Sequence, residues 1–287
     1  MFLKAFIFSV TSCILLAIPS SCKKTTSLQT STASSAINNS FDIILLIGQS
    51  NTLAGTVDDS SALTENIDPR IFQLGRFGTD NHVVIPAKDP LQNITPVNGC
   101  IGFASTFAKL YADSVLQPGR KVLIIPCGAV STGFSNNHWN RGNDDYSDAV
   151  QRANFALDSF ANSRIVCILW HQGEQDVKFG TTAYQGAFEN MRNGLFIDIK
   201  AKNLDSIPFI LGGLVPYWVQ TNPQYQHIDS ALMGECQRLP LIGFADPTIP
   251  FVIQKPDNTV NAIHFDGNGQ IEMGKRYFAQ YQKLSGK

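Results

Sequence analysis

The sequence predicts an α/β fold, a three-layer α/β/α sandwich around a mostly parallel sheet of five strands. Two observations lead to this prediction. Short runs rich in Ile, Leu and Val recur without polar alternation, which is typical of strands buried on both faces of a parallel sheet. Segments with apolar residues at helical spacing lie between these runs. Alternating strands and helices form open parallel sheets that are covered by helices.

Each predicted strand is a continuous apolar run, and each predicted helix carries an apolar stripe. The strands are 42–47, 121–126, 164–170, 208–214 and 241–245. The helices are 103–116, 149–160, 183–200, 225–239 and 269–284. The stretch 56–98 is rich in Asp, Asn and Pro and too irregular for a single crossover, so we expect a small hairpin or a long loop there.

The composition describes a globular chain and excludes one class of partner. The 287 residues are 44% hydrophobic and 16% charged, which suffices for one large core or two small ones. The 22 Lys and Arg residues against 23 Asp and Glu residues give a formal net charge of −1. A nucleic-acid binder needs a basic face to displace phosphate counterions, so this balance argues against a nucleic-acid partner.

The first 21 residues have the pattern of an export signal. Lys4 precedes an apolar stretch, 5–18, that is too short to span a hydrocarbon core about 30 Å thick. Small residues then lead to Cys22, which resembles the lipidated cysteine of a bacterial lipoprotein, although Pro19 departs from the usual aliphatic residue. Secretion with cleavage near Ser21 is the alternative. Both interpretations predict an exported protein, a periplasmic or cell-surface lipoprotein or else a secreted one, which meets a membrane only through its lipid.

A polar segment separates this signal from the folded part. Residues 23–40 are rich in Ser and Thr and cannot bury enough apolar surface to offset their ordering entropy. We interpret residues 22–40 as a flexible tether and residues 41–287 as a single domain. The four cysteines of that domain have no CxxC spacing and no zinc pattern, and the sequence leaves their pairing open. They are Cys100, Cys127, Cys167 and Cys236.

Three polar motifs fall at predicted strand ends or before the last helix. GQSN (48–51) follows the first strand, WHQGEQD (170–176) ends the third, and NAIHFDG (261–267) precedes the final helix. Open parallel sheets bind ligands beyond the carboxyl ends of their strands, so we expect these motifs to converge. A serine needs a base to become a nucleophile, and histidine, with a pKa near neutrality, is the usual one.

These motifs, in this order, resemble those of the SGNH-type hydrolases. The nearest branch is the group of carbohydrate esterases similar to acetyl xylan esterases and sialate O-acetylesterases, and the resemblance covers residues 41–287. It implies a flavodoxin-like α/β/α sandwich, the SGNH hydrolase fold, in agreement with the strand and helix pattern. It also implies a serine-dependent carbohydrate O-acetylesterase that uses an acyl-enzyme and needs no metal ion or organic cofactor. The partner that the resemblance implies for this protein is an acetylated glycan, as the substrate.

The resemblance also assigns roles to individual residues. Ser50 is the nucleophile, and His264 is the general base and then the general acid. The oxyanion hole is formed by the N–H groups of Ser50 and Gly102 and by the side chain of Gln172, with Gly99 as the less favoured alternative to Gly102. The residues assigned to substrate binding are Gln49, Asn51, Thr132, Trp139, His171 and Glu174.

One position departs from the family pattern. The family carries Asp three residues before the histidine, and here Asn261 stands there. That aspartate fixes the histidine tautomer, and its replacement in a serine protease costs about 10⁴ in turnover. An amide oxygen can still accept from the ring N–H, as in Cys-His-Asn proteases, so we assign Asn261 to orient His264. As an alternative, Glu174 or Asp257 supplies from another direction the negative charge that the family aspartate provides.

Structural roles are the alternative for several of these residues. Ser50 is also a residue type that caps helices, and His171 has a place in packing beside Trp170. Glu174 is also suited to anchoring a loop, and Trp139 to covering the edge of the core.

Two other functions compete with the acetylesterase. A non-catalytic carbohydrate-binding relative is motivated by Asn261 and by the tether. A lipase-like or thioesterase-like hydrolase on the same fold would prefer longer acyl chains, but the sequence has no long apolar lid to line a fatty-acyl tunnel. The sequence leaves open the glycan, the acetyl position and the oligomeric state.

Overall fold

Seven strands form one sheet in the computed structural model, which describes residues 40–53, 68–202, 204–254 and 262–286. The strands are β1 (Phe41–Gly48), β2 (Ile71–Leu74), β3 (Val84–Pro86), β4 (Lys121–Gly128), β5 (Arg164–His171), β6 (Phe209–Gly212) and β7 (Ile242–Ala245). Their order in the sheet is β3-β2-β4-β1-β5-β6-β7. All neighbours are parallel except β2 and β3.

The predicted mostly parallel sheet is confirmed, but the predicted number of five strands is wrong. The two additional strands, β2 and β3, form an antiparallel hairpin within the irregular stretch 56–98, and β2 joins the sheet beside β4. The four residues of β2 (IFQL) include the polar Gln73, and β3 has only three residues, so neither stands out as an apolar run. β3 ends in Pro86 and lies at the edge of the sheet, where a residue without an N–H group is tolerated.

Helices cover both faces of the sheet. In the described ranges they are α1 (Ser50–Leu53), α2 (Phe103–Ser114), α3 (Asp144–Ser159), α4 (Thr181–Asp198), α5 (Pro216–Thr221), α6 (Gln226–Arg238) and α7 (Gly267–Ser285). The five longer helices correspond to the predicted ones, although α3 begins five residues before the predicted start at 149. α1 and α5 have four and six residues, too few to show a helical period. Among the described helices, none offers an apolar stretch long enough to cross a bilayer.

β1 lies at the centre of the sheet and is buried on both faces. Ile43, Leu45 and Ile47 point into a core shared with α3, α4 and α6, whereas Ile44 and Leu46 point into a second core shared with α2 and α7. Successive side chains of a strand point to opposite faces, so a strand between two helical layers must be apolar at every position. This is the physical reason for the unbroken apolar run in the sequence.

Leu45→Ala should destabilise the fold by about 2–5 kcal/mol, because it removes a fully buried side chain and leaves a cavity. Urea unfolding of the wild type and the variant measures this difference. Ile197→Ala is the matched control, since Ile197 is 68% exposed and its truncation should change the free energy of unfolding by less than about 0.5 kcal/mol. A Leu45→Ala cost no larger than that of the control would contradict the buried position of β1.

Several sequence predictions concern residues that the structure does not describe. Residues 1–39, with the predicted export signal, Cys22 and most of the tether, lie outside the described ranges. Asn261 and Asp257 also lie outside them.

Candidate active site

Ser50 is the first residue of α1, directly after the tight turn that ends β1. Gly48 has a φ of 134°, and a Cβ there would overlap the carbonyl oxygen of His171 at the end of β5, so glycine permits this close approach. The same carbonyl accepts hydrogen bonds from the Gln49 N–H and the Thr52 hydroxyl, both at 2.9 Å. These contacts hold the half-buried Ser50 at the carboxyl edge of the central strands.

His264 lies in the segment that leads into α7, 214 residues from Ser50 in the chain. Its Nε2 atom is 2.8 Å from Ser50 Oγ, and both side chains are half-buried. A hydroxyl within hydrogen-bond distance of an imidazole nitrogen is the arrangement in which a base activates a serine. The structure therefore brings the two principal sequence-predicted residues together.

Asn51 holds the backbone on both sides of His264. Its Oδ1 accepts from the Phe265 N–H at 3.1 Å, and its Nδ2 donates to the Ile263 carbonyl at 3.0 Å. The same Nδ2 donates to Glu174 Oε1 at 2.6 Å. The fully buried Asn51 side chain thus holds the backbone that carries the histidine, and the substrate contact expected for it from the sequence stays a prediction.

Gln270 on α7 extends this support and was not identified from the sequence. Its Nε2 donates to the Asn51 carbonyl at 3.1 Å, and its Oε1 accepts from the Phe103 N–H at 3.0 Å, at the start of α2. In the sequence, the feature that could have pointed to Gln270 is its position on the buried stripe of α7, in line with Met273 and Tyr277. A fully buried amide on such a stripe needs specific partners.

Gln172 lies beneath the site with its amide fully engaged. Its Nε2 is 2.8 Å from Asp176 Oδ2, 3.2 Å from Gln49 Oε1 and 3.3 Å from the Thr132 carbonyl. Its Oε1 accepts from the Tyr184 hydroxyl at 2.9 Å. Two N–H groups facing three acceptors leave no donor directed at solvent, and the side chain is fully buried. In the structure these contacts occupy both N–H groups, and the oxyanion role expected for Gln172 stays a prediction.

Asp176 ties the loop after β4 to the end of β5. Its two carboxylate oxygens accept from the backbone N–H groups of Phe134 and Ser135, each at 2.8 Å. A Cβ at Gly133 would lie 2.7 Å from both of these oxygens, so the loop approaches the carboxylate as closely as glycine allows. Asp176 thus anchors the loop after β4 to the segment around Gln172.

The six side chains assigned to substrate binding are at most 5% exposed in the structure, and their contact with substrate stays a prediction. Trp139, expected as a sugar platform, is fully buried. Its indole N–H donates to Thr132 Oγ1 at 3.0 Å, and its ring packs edge-on against Trp170. These side chains support the site from below. The members of this set are Gln49, Asn51, Thr132, Trp139, His171 and Glu174.

His171 is the second histidine near the reaction centre, and its environment keeps it neutral. Burial, with a smaller contribution from His264, lowers the pKa of His171 to about 3. Its Nδ1 lies 3.1 Å from the Tyr277 hydroxyl, and the side chain is fully buried. A group with so low a pKa does not take up a proton near neutral pH, so His264 is the histidine that is available as a base.

Glu174 is a buried carboxyl group next to these residues. Burial raises the pKa of Glu174 to about 7, although the hydrogen bond from Asn51 acts in the opposite direction. Its Oε1 lies 3.9 Å from His171 Nε2, and its Oε2 has no hydrogen-bond partner among the described residues. Burial therefore makes ionisation of this carboxyl group unfavourable in the folded protein.

Glu174→Gln should alter the pH dependence of stability in a defined direction. The ordinary pKa is 4.5 and the folded value is about 7, so the folded protein binds the proton more tightly. Stability from this group is present below pH 4.5 and is lost as the pH rises to about 7, by up to about 3 kcal/mol. Glutamine does not titrate, so the variant should gain stability relative to the wild type between pH 4.5 and 8. Chemical unfolding of the wild type and the variant at pH 4.5 and at pH 8 tests this. A stability difference between the two proteins that is the same at both pH values would contradict it.

Backbone donors around Ser50 determine where an oxyanion could rest. Ser50 is the first residue of a helix, so its N–H has no intrahelical acceptor. The Gly102 N–H instead faces Asp89 Oδ1 at 3.4 Å, and a Cβ at Gly102 would lie 2.9 Å from the Leu53 carbonyl. Gly99 has a φ of 69° and open space where a Cβ would stand. These observations concern the surroundings of the two glycines, and the predicted choice of Gly102, with Gly99 as the alternative, stays a prediction.

Comparison with known proteins identifies the family. The family model described as carbohydrate esterase, sialic acid-specific acetylesterase, matches residues 40–283. The solved structure of NanS matches with a TM-score of 0.70 and 18% identity over 87% of this chain and 99% of that chain. A protein from Arabidopsis thaliana matches with a TM-score of 0.66 and 19% identity over 84% of this chain and 98% of that one.

A carbohydrate acetylesterase from Xanthomonas citri has a similar fold, with a TM-score of 0.60 and 14% identity over 86% of this chain and 57% of that chain. No curated protein sequence matches this chain. The family match over residues 40–283 agrees with the serine and histidine motifs and with the fold. The chain belongs to the sialic acid-specific acetylesterase family of carbohydrate esterases, and it is a carboxylic ester hydrolase with the SGNH hydrolase fold.

Proposed function

We propose that this protein removes O-acetyl groups from sialic acid-bearing glycans through a serine-bound acetyl intermediate. The observation that carries the proposal is the distance of 2.8 Å between Ser50 Oγ and His264 Nε2 at the carboxyl edge of the sheet. The family match supports the acetyl group and the carbohydrate. The distance and the family match both stand without the six buried side chains that the sequence assigned to substrate binding.

In the first step, Ser50 Oγ attacks the acetyl carbonyl carbon while His264 Nε2 accepts the hydroxyl proton. The carbonyl oxygen becomes an oxyanion in the tetrahedral intermediate. When this intermediate collapses, the bond to the sugar oxygen breaks, and His264 returns the proton to that oxygen. The products are the free sugar hydroxyl and an acetyl ester on Ser50.

In the second step, water attacks the acetyl ester and His264 accepts a proton from that water. Collapse of the second tetrahedral intermediate breaks the bond to Ser50 Oγ, which recovers its proton from His264. Acetate leaves, and the enzyme returns to its starting state. The neutral, buried His171 takes no part in either proton transfer.

Backbone N–H groups are proposed to stabilise both oxyanions. The first donor is the Ser50 N–H, which has no acceptor inside α1. The second is the Gly102 N–H at the start of α2, with the Gly99 N–H as the alternative; the Gly102 N–H lies 3.4 Å from Asp89 Oδ1. Donors that already point at the developing charge cost no reorganisation during the reaction, and removing one such donor in other hydrolases costs about 10²–10³ in turnover.

The orientation of His264 is proposed to depend on Asn51 and Asn261. Asn51 fixes the backbone on both sides of the ring through Ile263 and Phe265. Asn261, three residues before the histidine in sequence, would accept a hydrogen bond from the Nδ1–H and thereby select the tautomer whose Nε2 is free to accept the serine proton.

Acetate release tests this function. The purified protein should release acetate from O-acetylated sialic acid, and it should cleave an aryl acetate faster than the matching aryl butyrate or octanoate. A fluorophosphonate, which reacts with activated serines, should add one label at Ser50. Faster cleavage of the longer acyl esters would indicate a lipase-like enzyme, and acetate release only from acetylated xylan would exclude the sialic acid substrate.

We also propose that the chain is exported and anchored through a lipid on Cys22. The apolar stretch 5–18 followed by small residues supports this proposal. In bacterial cells grown with labelled palmitate, the wild-type protein should carry the label in the membrane fraction, and Cys22→Ser should lose both label and membrane association. Export of an unlabelled wild-type protein would instead favour simple secretion.

A further inference from the structure

Three potential metal ligands meet outside the active site, where the loop after β4 enters α3. His138 lies in this loop, and Asp144 and Asp145 are the first two residues of α3. His138 Nδ1 is 3.2 Å from Asp144 Oδ1 and 3.3 Å from Asp145 Oδ2. The three donor atoms all lie within 4.8 Å of one another.

Two of these donor atoms lack the hydrogen bonds that buried polar atoms normally make. His138 Nδ1 and Asp145 Oδ2 are both inaccessible to solvent, and neither has a hydrogen-bond partner among the described residues. The Asp145 side chain is only 8% exposed, and its unpartnered oxygen is directed towards the imidazole nitrogen. An unpaired buried carboxylate oxygen is costly, and a cation between these atoms, either a proton on His138 or a metal ion that takes its place, would remove that cost.

The spacing and the donor types indicate which cation would fit. Two ligands that bind a tetrahedral zinc ion at about 2.1 Å lie about 3.4 Å apart, close to the two separations from His138 Nδ1. An imidazole nitrogen favours zinc and other first-row transition metals over calcium or magnesium, which prefer oxygen ligands. We propose that His138, Asp144 and Asp145 bind a divalent transition-metal ion of the zinc class, with solvent as the fourth ligand.

The backbone already holds these ligands in place. The His138 N–H donates to the Gly133 carbonyl at 3.1 Å, and the His138 carbonyl accepts from the Tyr146 N–H at 3.3 Å. A site whose ligands are fixed before the ion binds loses little conformational freedom on binding. The ion would cross-link the loop 129–143 to the start of α3, and it would stabilise the loop segment that Asp176 anchors at the active site. No step of the ester hydrolysis passes through it.

Zinc titration of the purified protein, after treatment with a chelator, tests the site. Calorimetry should show one saturable zinc site, with no comparable binding of calcium or magnesium. Asp144→Asn and His138→Gln should each weaken zinc binding by about tenfold or more. Asp144 is 70% exposed, so its substitution by asparagine should leave folding intact. Asp158→Asn is the matched control, since Asp158 is an exposed carboxylate on the same helix, paired with Lys200.

Thermal unfolding gives a second measurement on the same proteins. Free zinc at about 100 times its dissociation constant should raise the midpoint of unfolding by about 5 °C or more in the wild type and in Asp158→Asn. The rise should be about half as large or less in Asp144→Asn at the same concentration, because a tenfold weaker site then sees only about 10 times its dissociation constant. Zinc binding that is equal in wild type and Asp144→Asn would place the ion elsewhere and overturn the proposal, and so would the absence of saturable binding.

Discussion

Ser50→Ala should lower the turnover of acetyl esters by about 10⁴-fold or more, because it removes the hydroxyl that lies 2.8 Å from His264 Nε2. The free energy of unfolding should change by less than about 1 kcal/mol, since the hydroxyl is half-buried and lies at the end of a strand. Steady-state kinetics with an aryl acetate and urea unfolding of the same preparation measure the two effects. The combination distinguishes lost chemistry from lost folding.

A second variant makes this test specific to the serine and histidine acting together. His264→Gln should lower turnover by a similar factor, and the double variant should be little worse than either single one, because the two residues act as one unit. If Ser50→Ala keeps most of its turnover in a folded protein, another nucleophile carries the reaction. Additive losses in the double variant would indicate two independent roles.

Asn51→Ala should lower both activity and stability, and this is the second large effect. The change removes the amide that holds the Ile263 carbonyl and the Phe265 N–H, and it leaves Glu174 without its donor. Unpaired buried groups of this kind should cost about 2–5 kcal/mol in unfolding free energy. A shift of the histidine by about 1 Å should lower kcat about 10²-fold. KM should change much less, because the Asn51 side chain does not reach the solvent-facing edge.

Asn154→Ala is the matched control for this variant. The Asn154 amide also bridges two backbone groups, since it donates to the Asp198 carbonyl at 2.9 Å and accepts from the Lys200 N–H at 2.7 Å. These groups lie at the end of α4, away from the active site. The control should lose stability without a comparable loss of kcat. Equal losses of kcat in both variants, measured well below their unfolding midpoints, would assign Asn51 a purely structural role.

Most of the fold follows from short-range patterns in the sequence. The five long apolar runs predict β1, β4, β5, β6 and β7, because a strand between two helical layers needs apolar residues at every position. The hairpin of β2 and β3 has strands of four and three residues, and its place in the sheet depends on pairing with β4. No local pattern in so short a segment specifies that partner.

The roles of amide and aromatic side chains near the site could not be predicted in the same way. Gln172, Asn51 and Trp139 belong to or follow motifs at strand ends, where substrate contacts are common. In the folded chain, their polar atoms bind other parts of the same protein. An amide has the same appearance in a sequence whether its hydrogen bonds go to substrate, water or buried backbone.

The sequence by itself determined the α/β class, the central strands and the positions of Ser50 and His264 in motifs at the ends of secondary-structure elements. These features depend on residue type and on spacing over a few positions. The tertiary structure decided the distance between the two residues, the buried contacts of Asn51 and the approach of Asp144 and Asp145 to His138. These features depend on which distant segments meet, since hydrogen-bond partners over 200 residues apart are brought together only by packing of the whole sheet and its helices.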